Sequence, residues 1–165
     1  MNREELEGEL ERLHRATYAW SLSCCRGDRE EAEDVLQESY LKTLDGRAHF
    51  AGTSSFKTFL FGVVRRTAAE GLRRAWFRRL RIAAWSTGHV ELSPDSEGPE
   101  VRSSRLEGVL ARLAARQREV LDLVFGQDMT VEEAALALGI STGSARVHYD
   151  RGKKRLRQLL GENQP

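Results

Sequence analysis

The chain contains little cysteine. Its only two cysteines, Cys24 and Cys25, are adjacent, and no CxxC pair accompanies them. Neighbouring cysteines rarely bridge each other, and structural zinc sites need spaced cysteine or histidine pairs. We therefore predict two reduced, partly buried thiols, which fit a reducing compartment.

The sequence also lacks the features of a membrane or secreted protein. No apolar stretch reaches the roughly 20 residues that a membrane-spanning helix requires. The first residues, "MNREELEGEL", are acidic and do not resemble a secretion signal. These absences predict a cytoplasmic protein without a membrane segment.

Groups typical of catalysis are missing as well. The four histidines and the scattered acidic residues form no ligand set and no acid–base constellation. We predict no catalytic residue, no metal site, no cofactor and no small-molecule substrate.

The net charge of +1 is uninformative, but the charges are unevenly distributed. Arginines concentrate in 65–81 and 146–157, whereas acidic residues concentrate in 4–11, 28–38 and 91–100. Such separation indicates distinct surfaces for distinct partners.

Apolar residues recur at helical spacing almost throughout, without strand alternation or internal repeat. The pattern predicts helices over about 4–25, 29–44 and 56–80, and further helices from about 103 to 160. The intervening stretch, "STGHVELSPDSEGPE", contains two of the three prolines together with glycine, serine and acids, which is typical of a flexible linker.

These elements predict an all-α fold with two small helical domains. We place a helical bundle in 1–80, a linker in 81–103 and a second domain in 104–165.

The second domain carries the pattern of a helix-turn-helix in "TVEEAALALGIS". Thr130 and Glu133 have the spacing of a capping box, and Gly139 suits the left-handed residue that ends a helix. Ser141 can then cap the next helix. Two helices joined through such a turn form the motif whose second helix enters the major groove of DNA.

The helix after Ser141 has an apolar stripe and a cationic face. The stripe predicted to face the core contains Ala145, Tyr149, Gly152, Leu156 and Leu160. The residues predicted to read bases or bind phosphates are Ser144, Arg146, Val147, His148, Arg151 and Lys154. The alternative is a basic helix that is merely solvated.

The second predicted helix, "EEAEDVLQESYLKTL", has an unusual polar face. Asp34, Gln37, Glu38 and Leu41 follow i, i+3, i+4, i+7 spacing opposite the apolar stripe. An exposed leucine among acids and an amide indicates a docking surface for a basic, partly apolar partner. A solvated acidic face is the alternative.

The third predicted helix combines arginines, small residues and aromatics. Seven arginines lie between 65 and 81, and small residues there let a nucleic-acid backbone approach. The predicted strand-binding residues are Thr58, Gly62, Arg65, Arg66, Arg73, Arg74 and Trp76. Phe61, Trp76 and Phe77 are either stacking surfaces for unpaired bases or core residues.

Three blocks in this order resemble the extracytoplasmic-function (ECF) sigma factors of bacterial RNA polymerase. They are "REEAEDVLQESYLKTL", "HFAGTSSFKTFLFGVVRRTAAEGLRR" and "LARLAARQREVLDLVFGQDMTVEEAALALGISTGSARVHYDRGKKRL". The resemblance implies a region 2 bundle and a region 4 helix-turn-helix. It also implies that Asp34, Gln37 and Glu38 dock on the clamp helices of the polymerase's largest subunit.

The same resemblance implies two contacts with promoter DNA. Residues 56–74 would melt and hold the −10 element, and residues 144–151 would read the −35 element. The linker would thread toward the active centre. An anti-sigma factor, either soluble or membrane-bound, is a further implied partner.

The chain departs from the family pattern at several positions. Phe59 stands where the family often has tryptophan, Arg66 where it usually has asparagine, and Glu70 where it usually has aspartate. Gly152 replaces the usual alanine. Arg66 suits phosphate binding better than the family's specific base contacts.

The sequence therefore predicts a non-enzymatic sigma factor that binds core RNA polymerase and recognises the −35 and −10 promoter elements. One alternative is a stand-alone helix-turn-helix regulator, which leaves the acidic face of the second helix unexplained. The other is a sigma-like mimic that sequesters an anti-sigma factor, for which the basic face of 65–81 has no use.

Overall fold

The computed structural model describes residues 1–85 and 105–161, which are helical except for turns and short loops. The N-terminal half contains α1 (Arg3–Cys24), α2 (Arg29–Leu44) and α3 (Phe56–Trp85). The C-terminal half contains α4 (Arg105–Ala111), α5 (Ala115–Leu121), a π-helical segment (Asp122–Gly126), α6 (Val131–Leu138) and α7 (Thr142–Gly161). The predicted all-α fold is confirmed, and within these ranges no strand occurs.

Side-chain caps set the helix starts. Asn2 and Glu5 form a capping box at the start of α1, and Asp28 accepts from the backbone N–H of Glu31 at α2. At α3, Ser55 Oγ accepts from the N–H of Thr58 at 3.1 Å, which selects Ser55 over Ser54 as the cap.

In the N-terminal half, the helices begin and end within one residue of the predicted positions, except at the end of α3. The prediction ended this helix near Leu80, but it continues to Trp85. At 1.5 Å per residue its 30 residues extend about 45 Å. The linker predicted for 81–103 lies mostly outside the described residues. None of the described helices combines the length and the apolar content needed to cross a bilayer.

The main apolar core joins the two halves of the chain. Trp20, Phe61 and Val64 from the N-terminal helices belong to the same cluster as Val120 and Leu123 from the C-terminal half. Trp20 stacks on Phe61 with ring centroids 6.0 Å apart, and its indole N–H donates to the Phe61 carbonyl. Phe61 is therefore a core residue and not a stacking surface for bases.

Two smaller clusters complete the packing, one in each half. Leu10, Leu13 and Leu60 form part of the N-terminal one, and Val109 and Leu159 form part of the C-terminal one.

The predicted inward stripe of α7 needs one correction. Ala145 and Gly152 are buried as predicted, but Leu160 is 43% exposed and Leu159 is fully buried in its place. The stripe shifts by one residue because Leu159 meets the cluster that α4 and α5 form with α7.

Candidate docking and nucleic-acid surfaces

The polar face of α2 is open to solvent. Asp34 and Gln37 are exposed, and Leu41, one turn beyond Gln37, is 55% exposed. Glu38 is half-buried, and its carboxylate lies 3.1 Å from Arg47 Nη1 and 3.9 Å from Lys42 Nζ. We refer to Asp34, Gln37, Glu38 and Leu41 as the α2 face.

Ionic contacts attach α2 to α3 beside this face. Lys42 Nζ donates to Glu70 at 2.7 Å and to Thr67 at 3.2 Å. The hydrogen bond from Lys42 lowers the pKa of Glu70. This carboxylate therefore stays ionised at a pH where an ordinary glutamate would already be protonated. The ion pair between α2 and α3 is therefore retained in mild acid.

The seven residues predicted to bind a DNA strand divide into two groups on α3. Arg66, Arg73, Arg74 and Trp76 are solvent-accessible, and Trp76 is 57% exposed with Phe77 beside it at 5.0 Å between ring centroids. Phe77 is exposed too, so both of these aromatics are available for stacking.

The other three predicted residues, Thr58, Gly62 and Arg65, do not face solvent. Thr58 is buried, and its hydroxyl lies 2.8 Å from that of Ser55. Gly62 packs against Ala137, and Arg65 Nε lies 2.7 Å from Glu119 Oε1. A strand could reach them only if the C-terminal half moved away. In this conformation the three residues are covered, and their contact with DNA stays a prediction.

A pocket missed in the sequence opens next to the exposed part of α3. It has a volume of about 340 Å³ and lies between the loop after α2 and the middle of α3. Lys42, Arg47 and Arg66 line it together with His49, Phe59 and Glu70, and the Glu70 carboxylate is paired with Lys42. Arg47 and Arg66 beside an aromatic ring suit a phosphate and an unstacked base, whereas Lys42 is already paired with Glu70. The signal available in the sequence was "RAHF", a cationic and aromatic loop directly before α3.

The helix-turn-helix forms as its local signals predicted. Thr130 and Glu133 make the reciprocal capping box, and Gly139 is left-handed at φ 65°. Ser141 Oγ accepts from the N–H of Ser144 at 3.1 Å, so the cap of α7 is confirmed. Ile140 packs against the main core at the turn.

The predicted reading residues lie on the accessible side of α7. Ser144, Arg151 and Lys154 are exposed, Val147 is 45% exposed and His148 is half-buried. Arg146 donates to Glu132 of α6 at 2.7 Å, but both side chains are well exposed. Exposed ion pairs are weak and exchange readily, so DNA can compete for Arg146.

Gly152 holds α7 close to α5. A Cβ at this position would lie 3.1 Å from a methyl group of Leu121 and 3.3 Å from Gln117 Cβ. Both neighbours are side chains of α5, which itself packs into the core. The glycine therefore permits a short helix-to-helix distance that fixes the orientation of α7.

We predict that Gly152→Leu lowers the free energy of unfolding by about 1–3 kcal/mol, because a larger side chain cannot fit beside Leu121. The same change at Gly71 of α3, which has open space around it, is the control. There it should stabilise by up to about 1 kcal/mol through better helix propensity. Urea unfolding of both variants measures the two effects, and equal shifts would contradict the packing role of Gly152.

Comparison with known proteins agrees with this arrangement. The family model "Sigma-70 region 2" matches residues 10–78, and "Sigma-70, region 4" matches residues 109–158. The ECF RNA polymerase sigma factor SigX of Bacillus subtilis is 33% identical over 140 residues, covering 81% of this chain and 72% of SigX. The ECF RNA polymerase sigma factor ShbA of Streptomyces griseus is 32% identical over 139 residues, covering 79% of this chain and 72% of ShbA.

Solved structures share the fold. The sigma factor RpoE of Bartonella quintana, in complex with the anti-sigma factor NepR, superposes with a TM-score of 0.75 at 23% identity, covering 98% of this chain and 99% of RpoE. CnrH, in complex with the cytosolic domain of CnrY, gives 0.68 at 22% identity, covering 99% of this chain and 92% of CnrH. The matches to both family models, together with relatives that are 32–33% identical and covered over 72% of their length, show that this chain belongs to the ECF RNA polymerase sigma factors.

Proposed function

We propose that this sigma factor directs transcription through three separate surfaces, one for core RNA polymerase and two for promoter DNA. Sigma factors are a non-enzymatic class of initiation subunits, so the polymerase carries out the chemistry. The observation that carries the proposal is the presence of three chemically different surfaces on three helices of one chain. These are the acidic and apolar α2 face, the basic and aromatic end of α3, and the capped helix α7.

The α2 face is the proposed contact with core polymerase. Its exposed Leu41 lies one turn beyond Gln37 and two turns beyond Asp34 on the same side of the helix, which places an apolar side chain next to a polar surface. Lys42 anchors the helix to α3 directly behind the face. A basic, partly apolar surface fits it, as the family resemblance implies for the clamp helices of the largest subunit.

The end of α3 is the proposed binding site for the melted −10 strand. Arg66, Arg73 and Arg74 are available for phosphates, and Trp76 is available for stacking. The pocket that contains Phe59 and Arg66 adjoins the same surface and can hold one unstacked nucleotide. A duplex would keep its bases stacked, so this surface suits a single strand better.

The outward side of α7 is the proposed reader of the −35 element. The capped N-terminus of a helix favours phosphate, and the residues that follow can reach base edges in the major groove. Ser144, Val147 and Arg151 provide a hydroxyl, a methyl surface and a guanidinium there.

We also propose an anti-sigma factor as a regulatory partner and the cytoplasm as the place of action. RpoE and CnrH were both solved with a partner bound, NepR and CnrY respectively. A polymerase subunit acts on the chromosome, which lies in the bacterial cytoplasm.

Run-off transcription tests the proposal directly. Purified chain and core polymerase are incubated with promoters whose −35 and −10 elements are randomised, and transcripts are sequenced. Selected transcripts that depend on the chain would support it. Binding to duplex DNA without transcription would favour a stand-alone regulator, and binding only to an anti-sigma factor would favour a mimic.

We predict that Trp76→Ala weakens binding of a single-stranded −10 oligonucleotide to the holoenzyme by about 1–3 kcal/mol, because a base loses its stacking surface. Ile82→Ala is the control, since Ile82 is an equally exposed apolar residue of the same helix without a ring. Arg73→Ala should instead flatten the dependence of log affinity on log salt by about 0.7. Unchanged affinity in Trp76→Ala would show that the strand takes another path.

A further inference from the structure

A second pocket lies between α1 and α2, next to the α2 face. The residues that line it are His14, Tyr18, Glu33, Leu36, Gln37 and Tyr40. Its volume is about 380 Å³, which is near the lower limit for pockets that hold small molecules. A space of this size can accommodate one long side chain of a partner protein.

The pocket is continuous with the α2 face through Gln37. This residue belongs to the α2 face and also lines the pocket. Glu33 lies one turn before it on the same helix, and both side chains are exposed, which places them at the mouth of the pocket. A partner that covers Asp34 and Gln37 on the α2 face therefore covers this mouth as well.

The aromatic walls are held in place by packing within the N-terminal half. Tyr18 packs against the main core, and Tyr40 packs against the cluster that contains Leu10. The Tyr40 hydroxyl donates to the Leu10 carbonyl at 3.4 Å, and His14 Nδ1 lies 3.2 Å from the same hydroxyl. A partner side chain thus enters a preformed pocket and does not have to order these rings.

The charges around the pocket favour a cation. Glu33 lines it, Asp34 is exposed beside it, and among the described lining residues there is no lysine and no arginine. Aromatic rings attract a cation and a carboxylate pairs with one. A guanidinium fits best, because it is planar, stacks on rings and can donate to the Glu33 carboxylate and the Gln37 side-chain carbonyl together.

From these observations we infer that the pocket between α1 and α2 receives an arginine side chain of the partner that docks on the α2 face. The inference rests on the proposed function, in which that partner is core RNA polymerase. It extends the docking surface from α2 to α1, with Tyr18 and Tyr40 as stacking walls and Glu33 as the counter-ion. Arginines that fill preformed pockets are frequent energetic centres of protein interfaces.

His14 allows a test that distinguishes a cationic occupant from an apolar one. Its side chain is exposed at the wall of the pocket, so a charge can be placed there without disturbing the core. In the full chain, His14→Lys adds a cation to the wall and His14→Glu adds an anion. Ala19→Lys and Ala19→Glu are the matched controls, since Ala19 is exposed on the same helix and does not line the pocket.

The measurement is the affinity of each variant for purified core RNA polymerase, by biolayer interferometry. We expect His14→Lys to weaken binding about tenfold and His14→Glu to strengthen it roughly threefold or more, because both charges act on the arginine within a desolvated contact. The two Ala19 variants should stay within about twofold of the wild type, because salt and water screen exposed charges. Circular dichroism checks that every variant is folded.

Glu33→Gln tests the opposite wall of the pocket. It removes the carboxylate but keeps the size of the side chain, so binding should weaken about tenfold through loss of a charged hydrogen bond. Glu30→Gln makes the same change at an exposed position of α2 that does not line the pocket, and its affinity should stay near the wild-type value.

Equal weakening by His14→Lys and His14→Glu would overturn the inference, because an apolar side chain would then occupy the pocket. Equal shifts in the His14 and Ala19 pairs would also overturn it, because the partner would then respond to the overall charge of the chain. Unchanged affinity in all His14 and Glu33 variants would place the pocket outside the interface.

The double variant Asp34→Arg with Gln37→Ala separates these results from the proposed function. If it fails to bind polymerase while the His14 and Glu33 variants bind like the wild type, the α2 face is the docking surface and only the arginine site is wrong. A wild-type chain that does not bind core polymerase contradicts the proposed function, and the inference fails with it.

Discussion

Asp34→Arg combined with Gln37→Ala is expected to abolish co-elution of the chain with core RNA polymerase. Asp34, Gln37 and Leu41 follow one another along the same side of α2, so docking would desolvate all three side chains together. A reversed charge within a desolvated contact costs about 2–5 kcal/mol of binding free energy, which weakens a complex by a factor of roughly 30 or more. Run-off transcription should be lost to the same extent.

The fold should survive this double change, because both side chains face solvent and make no contact with the apolar clusters. Helical circular dichroism and the urea midpoint are therefore expected to stay near the wild-type values. Glu11→Arg provides the control, since it makes the same kind of charge change at an exposed position of α1, away from the α2 face. If the double variant still co-elutes with core polymerase, the α2 face is not the docking surface.

Local signals explain why the helices and their caps could be predicted. The capping box of Thr130 and Glu133, the left-handed Gly139 and the Ser141 cap each involve residues only a few positions apart. All three features are present in the structure as predicted. The same holds for the limits of α2, which follow from Asp28 and the apolar period after it. Such interactions depend little on distant parts of the chain.

Tertiary packing explains what the sequence could not decide. Leu159 and Leu160 are adjacent, and only the positions of α4 and α5 determine which one is buried. Phe61 has the same local surroundings as an exposed aromatic, yet it is fully buried because Trp20 of α1 stacks on it. Periodicity along one helix carries no information about a partner that lies elsewhere in the chain.

The covered side of α3 illustrates the same limit for the candidate sites. Thr58, Gly62 and Arg65 share a face with helical spacing, and small and cationic residues there suit a phosphate backbone. In the structure the partner of this face is α6 together with Glu119. The pattern indicated a surface of close approach correctly, but a helix of the same chain satisfies that requirement as well as DNA does.

The second large effect is expected at α7, where Arg146, Val147 and Arg151 can contact the −35 element. An arginine that binds guanine through two hydrogen bonds should cost about 1–3 kcal/mol when changed to alanine, and preference at one base pair should relax. An arginine that binds phosphate should weaken all sequences alike. The two arginines differ in the structure, because Arg146 pairs with Glu132 while Arg151 is exposed and has no ion pair with any described residue.

We therefore expect Arg151→Ala to show the larger loss of binding, since within the described part of the chain Arg151 has no ion pair to break when it meets DNA, whereas Arg146 must leave Glu132. Val147→Ala should relax preference for thymine at one position through loss of a methyl contact. The measurement is selection of promoters from a randomised −35 element by holoenzymes containing the wild type and each single variant. Lys153→Ala is the control on the same helix, because Lys153 is held over the ring of Tyr149 at 4.3 Å. If the three test variants select the same sequences as the wild type with the same stringency, α7 does not read bases and its cations serve only the backbone.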